Sequence, residues 1–134
     1  MELRDSVDRI LDNESLVAER FYRNFFERCP EVRPLFAHLD MTTQAIMLTM
    51  ALKAVREHPK LTNASRMYLQ VLGTRHRRVN VGRELYPKFL DSLLATLEEF
   101  HGPDWSEALA AQWRAAFDDA AKIMYEGYER RFHV

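Results

Sequence analysis

Tyr22, Phe36, Gln44, Leu48 and His76 have side chains of the types that bind a small ligand at a metal, and Tyr86 follows His76 by ten residues. A neutral imidazole offers a lone pair to a metal. A phenol and a carboxamide donate hydrogen bonds, each stabilising a charged acceptor by roughly 1.5–3 kcal/mol. A phenylalanine and a leucine supply apolar walls. Each residue also has a plainer role. A histidine on an apolar helix face is more often packed than ligated. Tyr22 reads equally as a core aromatic, Gln44 as a solvated residue in a helix's first turn, and Phe36 and Leu48 as ordinary core. The elements that carry them decide between the two.

Those elements are helices. The chain has only four glycines and five prolines, and its apolar residues recur at spacings of three and four, the helical period. No strand is expected. A short helix over about Leu3 to Leu11 leads to an aromatic one over about Glu14 to Arg28, bearing Phe21, Tyr22, Phe25 and Phe26 and stopped by Pro30. A turn over Val32 to Phe36 and a loop to Asp40 precede a helix of about 15 residues. That helix puts Gln44, Leu48, Ala51 and Val55 on one stripe, with Asp40 or Thr42 as its cap. Pro59 should break it. Asn63 should cap the next, where Leu69, Leu72 and His76 share a face and turn the histidine inward. Tyr86 to Phe100 forms a core helix ended by Gly102-Pro103. Asp104-Trp105-Ser106-Glu107 reads as a capping box for a last helix with an inner stripe of Trp113, Phe117, Ala120, Ala121, Met124 and Tyr128.

Composition narrows the function. The 134 residues fit one domain, spanning 1–134, and 47% hydrophobic content suffices for a core. Nineteen basic against 20 acidic residues give no global field, so neither nucleic acid nor a membrane is the expected partner. The lone Cys29 makes no internal disulfide, and the N-terminus has no apolar run of the signal-peptide kind. A cytoplasmic protein is expected.

Taken in order, Phe21-Tyr22, Pro30-Glu31, Leu35-Phe36, Gln44, the stretch Leu72-Gly73-Thr74-Arg75-His76, and Tyr86 resemble the motifs of the bacterial single-domain globins and of the haem domain of flavohaemoglobins. The likeness extends over nearly the whole chain. It implies an all-α globin fold around one haem b, with His76 as the proximal iron ligand, Phe36 stacked on the porphyrin and Leu48 a lid over the gas site. Leu72, Val81 and Tyr86 would line the haem pocket, and Tyr22 with Gln44 would form the distal polar pair. O2, NO or CO are the implied ligands, for transport, storage or sensing, in a monomer or homodimer.

The resemblance also implies an enzymatic alternative, nitric oxide dioxygenation, in which Tyr22, Gln44 and Tyr86 would be the catalytic residues. The sequence departs from that pattern. Tyr128 stands where a relay glutamate is expected, with Glu126 and Glu129 elsewhere around the helix. The first helix is shortened, and with no room for flavin and nicotinamide domains a separate reductase would be required. A haem-free helical interaction module is the third reading, against which the retained His76 and Phe36 count. Met41 and Met47, flanking Gln44, could ligate iron through sulfur, although core filling fits them better. Among the other histidines, His38, His58, His101 and His133 are assigned to loops and helix ends, His38 being a distant distal candidate. Arg75, Arg77 and Arg78 could meet haem propionates, yet cations at a helix C-terminus are usually solvated, and that is the expectation here.

Overall fold

A computed structural model describes residues 1–79 and 81–129, the side chain of Tyr128 excepted, so the Tyr128 and His133 expectations fall outside the described side chains. Among the described residues the chain is all-α, with no strand. The helices are α1 (Leu3–Leu11), α2 (Glu14–Arg28), α3 (Met41–Ala54), α4 (Asn63–Arg78), α5 (Leu85–His101) and α6 (Glu107–Glu129), with 3-10 turns at Pro30–Phe36 and Gly102–Asp104.

The termini are set by short-range chemistry, in part other than expected. Asp40 caps α3, its carboxylate accepting from the Thr42 amide at 3.0 Å. That helix stops at Ala54 in a run of turns, several residues before Pro59, so the proline is not its terminator. Thr62, not Asn63, caps α4: its hydroxyl oxygen accepts from the Ser65 amide at 3.0 Å, and Asn63 is already helical. At α6 the cap is Ser106, accepting from the Leu109 amide at 3.1 Å. The expected Asp104 to Glu107 box does not form, because Asp104 pairs with Arg9 at 2.8 Å.

Packing follows the apolar stripes. α2 lies along α5, α4 along α6, and α3 bridges α2 and α4. The aromatic face of α2 is the centre of the first pair: Phe21 is fully buried, 4.7 Å from Phe89 between ring centroids, and burying such a side chain contributes roughly 1.5–3 kcal/mol. On α6, Trp113, Ala120, Ala121 and Met124 are buried.

The α4–α6 crossing depends on two glycines. A Cβ on Gly73 would stand 1.9 Å from the Met124 carbonyl oxygen, and one on Gly127 would stand 1.9 Å from that of Gln70. The backbones therefore touch, and Thr74 Oγ1 bridges them by donating to the Gly127 carbonyl at 2.8 Å. Gly73 sits in the Leu72-Gly73-x-x-His76 stretch, so its small size sets the height of α4, and of His76, above α6.

His101 is at a helix end, as expected, being the last residue of α5. It is nevertheless part of the core: it is 3% exposed, its Nε2 lies 2.6 Å from Ser6 Oγ rather than at a free carbonyl, and Trp113 Nε1 donates to the same oxygen at 3.0 Å.

Candidate functional site

Between α3 and α4 lies a cavity of about 330 Å³ whose wall is almost wholly apolar, within the size range of small-molecule and cofactor sites. Eight of the residues singled out as site candidates line it: Tyr22, Phe36, Gln44, Leu48, Leu72, His76, Val81 and Tyr86. Four helices and the Pro30–Phe36 turn are needed to bring them together.

On the α4 side, His76 Nδ1 is 3.1 Å from the Tyr86 hydroxyl. That oxygen can accept from a protonated Nδ1, and in this tautomer Nε2 carries the lone pair that a metal-ligating histidine requires. Burial pushes the imidazole down to about 4, which keeps it neutral near pH 7. Tyr86 is buried and stacked on Tyr125 with centroids 5.0 Å apart.

On the opposite side, the Tyr22 hydroxyl donates to the Gln44 backbone carbonyl at 3.4 Å, and the Gln44 amide lies 3.9 Å from Met47 sulfur. Both contacts are long. Burial raises the Tyr22 hydroxyl to about 12, so it remains a protonated donor. Phe36 meets Tyr22 edge-on, centroids 5.5 Å apart. Met47 is part of the wall, whereas Met41 is exposed and is not. His38 is exposed and does not line the cavity.

Some wall residues were not read from the sequence as lining a site. Leu39, 45% exposed, reaches the cavity from its rim, as does Leu35, 39% exposed, which the sequence marked only through the Leu35-Phe36 pair. Arg75 is exposed, as expected, and also lines the cavity, while Arg77 and Arg78 do not. The two glutamates of α6 weighed for a proximal relay are engaged elsewhere: Glu126 accepts from Gln70 at 3.1 Å, and Glu129 pairs with Arg83.

An apolar chamber between two helices, faced by one imidazole and a tyrosine–glutamine pair, defines an all-α ligand-binding protein. The chain matches the Globin family model over residues 19–124 and belongs to the globin family. It is 24% identical over 126 residues to a flavohaemoprotein of Halalkalibacterium halodurans, a match covering 92% of this chain and 31% of the relative. It is 26% identical over 120 residues to a flavohaemoprotein of Rhizobium meliloti strain 1021, covering 85% and 30%. The chain thus spans about a third of the length of these curated relatives. It also resembles a solved Pseudomonas aeruginosa PAO1 protein described as structurally highly homologous to a human haemoglobin. The TM-score there is 0.74 at 25% identity, over 96% of this chain and 100% of the other.

Globin membership implies a haem group and diatomic gas ligands, and the cavity fits that group chemically. Among the described residues no three His, Cys, Asp or Glu side chains gather to hold a bare ion. The cavity instead offers one imidazole in an apolar chamber, a donor set suited to a metal that arrives with a macrocycle of its own.

Proposed function

We propose that the chain is a haem b globin that binds O2 reversibly, for transport, storage or sensing, with NO and CO as competing ligands. In this reading His76 holds the iron, Tyr86 orients the imidazole, and Phe36, Leu48, Leu72 and Val81 pack on the porphyrin. Tyr22 and Gln44 turn their donors toward the gas. Haem supplies a site at which a diatomic gas binds. The chain supplies an imidazole, an apolar wall that keeps water out, and donors that favour a ligand gathering negative charge.

The observation that carries the reading is that one cavity has the His76–Tyr86 pair on its α4 side and Tyr22 with Gln44 on the other. The test is optical. Purified protein should show a Soret band that disappears in His76→Ala, and a colourless protein that takes up no added haemin would overturn the proposal.

Nitric oxide dioxygenation with an external reductase is the second reading. The His76–Tyr86 contact and the flavohaemoprotein relatives favour it, while the positions of Glu126 and Glu129 count against a full proximal relay. NO consumption with a generic reductase separates it from simple binding.

A further inference from the structure

The charges balance over the whole chain but not along it. Residues 41–78, which hold α3, the turns after it and α4, contain seven basic residues and one acidic one, against 12 basic and 19 acidic elsewhere. That acid, Glu57, is already paired with Arg4 and Arg56. Lys53, Arg66, Arg75 and Arg78 are exposed, with no ion-pair partner among the described residues.

The same helices wall the cavity. Met67, Val71, Arg75 and Arg78 recur on one outer stripe of α4 at helical spacing, Met67 being 66% exposed and Val71 40%. On α3, Met50 is 49% exposed. The two helices are tied where the Tyr68 hydroxyl donates to the Met47 carbonyl at 3.4 Å. Arg75 and Val79 are at once cavity wall and outer surface, so this face opens onto the chamber.

A small apolar patch among cations of one sign, at the rim of the chamber that would hold a redox group, suits a weak electron-transfer encounter: charge steers the approach and the small contact allows quick release. We infer that the outer face of α4, with the adjoining face of α3, docks an acidic one-electron donor protein of the flavin or iron–sulfur class that returns the haem iron from Fe3+ to Fe2+. One electron leaves the donor and enters the iron, and no covalent bond forms or breaks. The inference rests on the haem reading above and supplies the reductant which that reading needs. A lipid surface is a poorer fit because Met67 and Val71 offer little area to bury in a bilayer. Nucleic acid is poorer still, since neither helix exposes an aromatic side chain for stacking.

The probe is a plant-type [2Fe–2S] ferredoxin, and the haem-loaded chain is used throughout. Calorimetry measures binding of the oxidised ferredoxin, and stopped flow measures reduction of the ferric protein by ferredoxin kept reduced with NADPH and its reductase. Both affinity and rate should fall by roughly tenfold as salt rises from low to physiological strength. The double variant Val71→Glu with Arg78→Glu should lower both by a similar factor, leaving the Soret band and reduction by dithionite unchanged, while Arg78→Lys keeps both. Met50→Glu, on the other helix, gives the same reading should the double variant fold poorly. Salt-independent binding, or variants equal to the native chain with an intact Soret band, overturns this inference alone. Loss of phosphatidylserine-vesicle binding in the double variant with the ferredoxin arm unmoved also overturns it, assigning the face to a membrane. Absence of any Soret band after haemin addition overturns the haem reading and this one together.

Discussion

The Tyr86 hydroxyl lies 3.1 Å from His76 Nδ1, joining α5 to α4 at the cavity wall. Tyr86 is itself held, stacked on Tyr125, over which the Arg83 guanidinium sits 4.6 Å from the ring centroid. α5 thus meets the imidazole nitrogen directly, and α6 braces that contact through Tyr125. A partner of this kind orients the ring, so that a metal at Nε2 would meet an imidazole already restricted in rotation.

Tyr86→Phe deletes that hydroxyl and little volume. The predicted result is a protein that still shows a Soret band but releases haem to apomyoglobin roughly 10–100-fold faster, the usual cost of losing a partner of a ligating histidine. Haem transfer at the native rate would show that packing alone orients His76.

Tyr22→Phe tests the opposite wall. With its hydroxyl raised to about 12 by burial, Tyr22 stays a donor across the working range. Its removal should speed O2 release by about 10–100-fold, equivalent to a charge-assisted bond of roughly 1.5–3 kcal/mol. CO, which gathers less charge, should change far less. Stopped-flow displacement of each gas decides this, and equal effects on both would point to altered packing instead.

Much of the fold was legible because the apolar periodicity is strong: α1 and α2 begin and end where the sequence placed them. The caps were less so. Thr62 and Asn63 are both good capping types in adjacent positions, as are Asp104 and Ser106, and only the tertiary partner of Asp104, Arg9, decides the second case. That the candidates would meet was legible in their order along the chain, since Tyr22, Phe36, Gln44 and His76 share a cavity. His101 was not, because its environment comes from Ser6, 95 residues away on α1. The basic face of α3 and α4 was present in the sequence too, concealed by a net charge that averages it against acidic helices.

Gly73→Ala should be disproportionately harmful for one added methyl. Alanine is the better helix former by about 1 kcal/mol, but its Cβ would stand 1.9 Å from the Met124 carbonyl, a backbone atom that cannot swing aside. The α4–α6 pair must then separate, at a cost of roughly 1–3 kcal/mol, and His76 moves with α4. Urea unfolding should show the loss of stability, and haem titration a weaker site. A variant as stable as the native chain would mean that α4 slides freely on α6.

His101 makes stability depend on pH. Burial is the chief cause that lowers its imidazole to about 4 from the usual 6.5, with Arg9 adding to the effect and Asp104 opposing it. The surroundings explain why the neutral form is needed. Nδ1 is buried without a hydrogen-bond partner among the described residues while Nε2 meets Ser6 Oγ, so a doubly protonated ring would have to bury an unpaired N–H as well as a charge. Below pH 6.5 the unfolded chain takes up a proton that the folded chain refuses, so this contribution is intact above pH 6.5 and drains away as pH falls toward 4. The full shift corresponds to at most about 3 kcal/mol. Urea midpoints measured from pH 7 to pH 4 should therefore fall less steeply in His101→Gln than in the native protein at the same haem load, where any contribution from His76 cancels. Parallel curves would show that His101 titrates alike in both states.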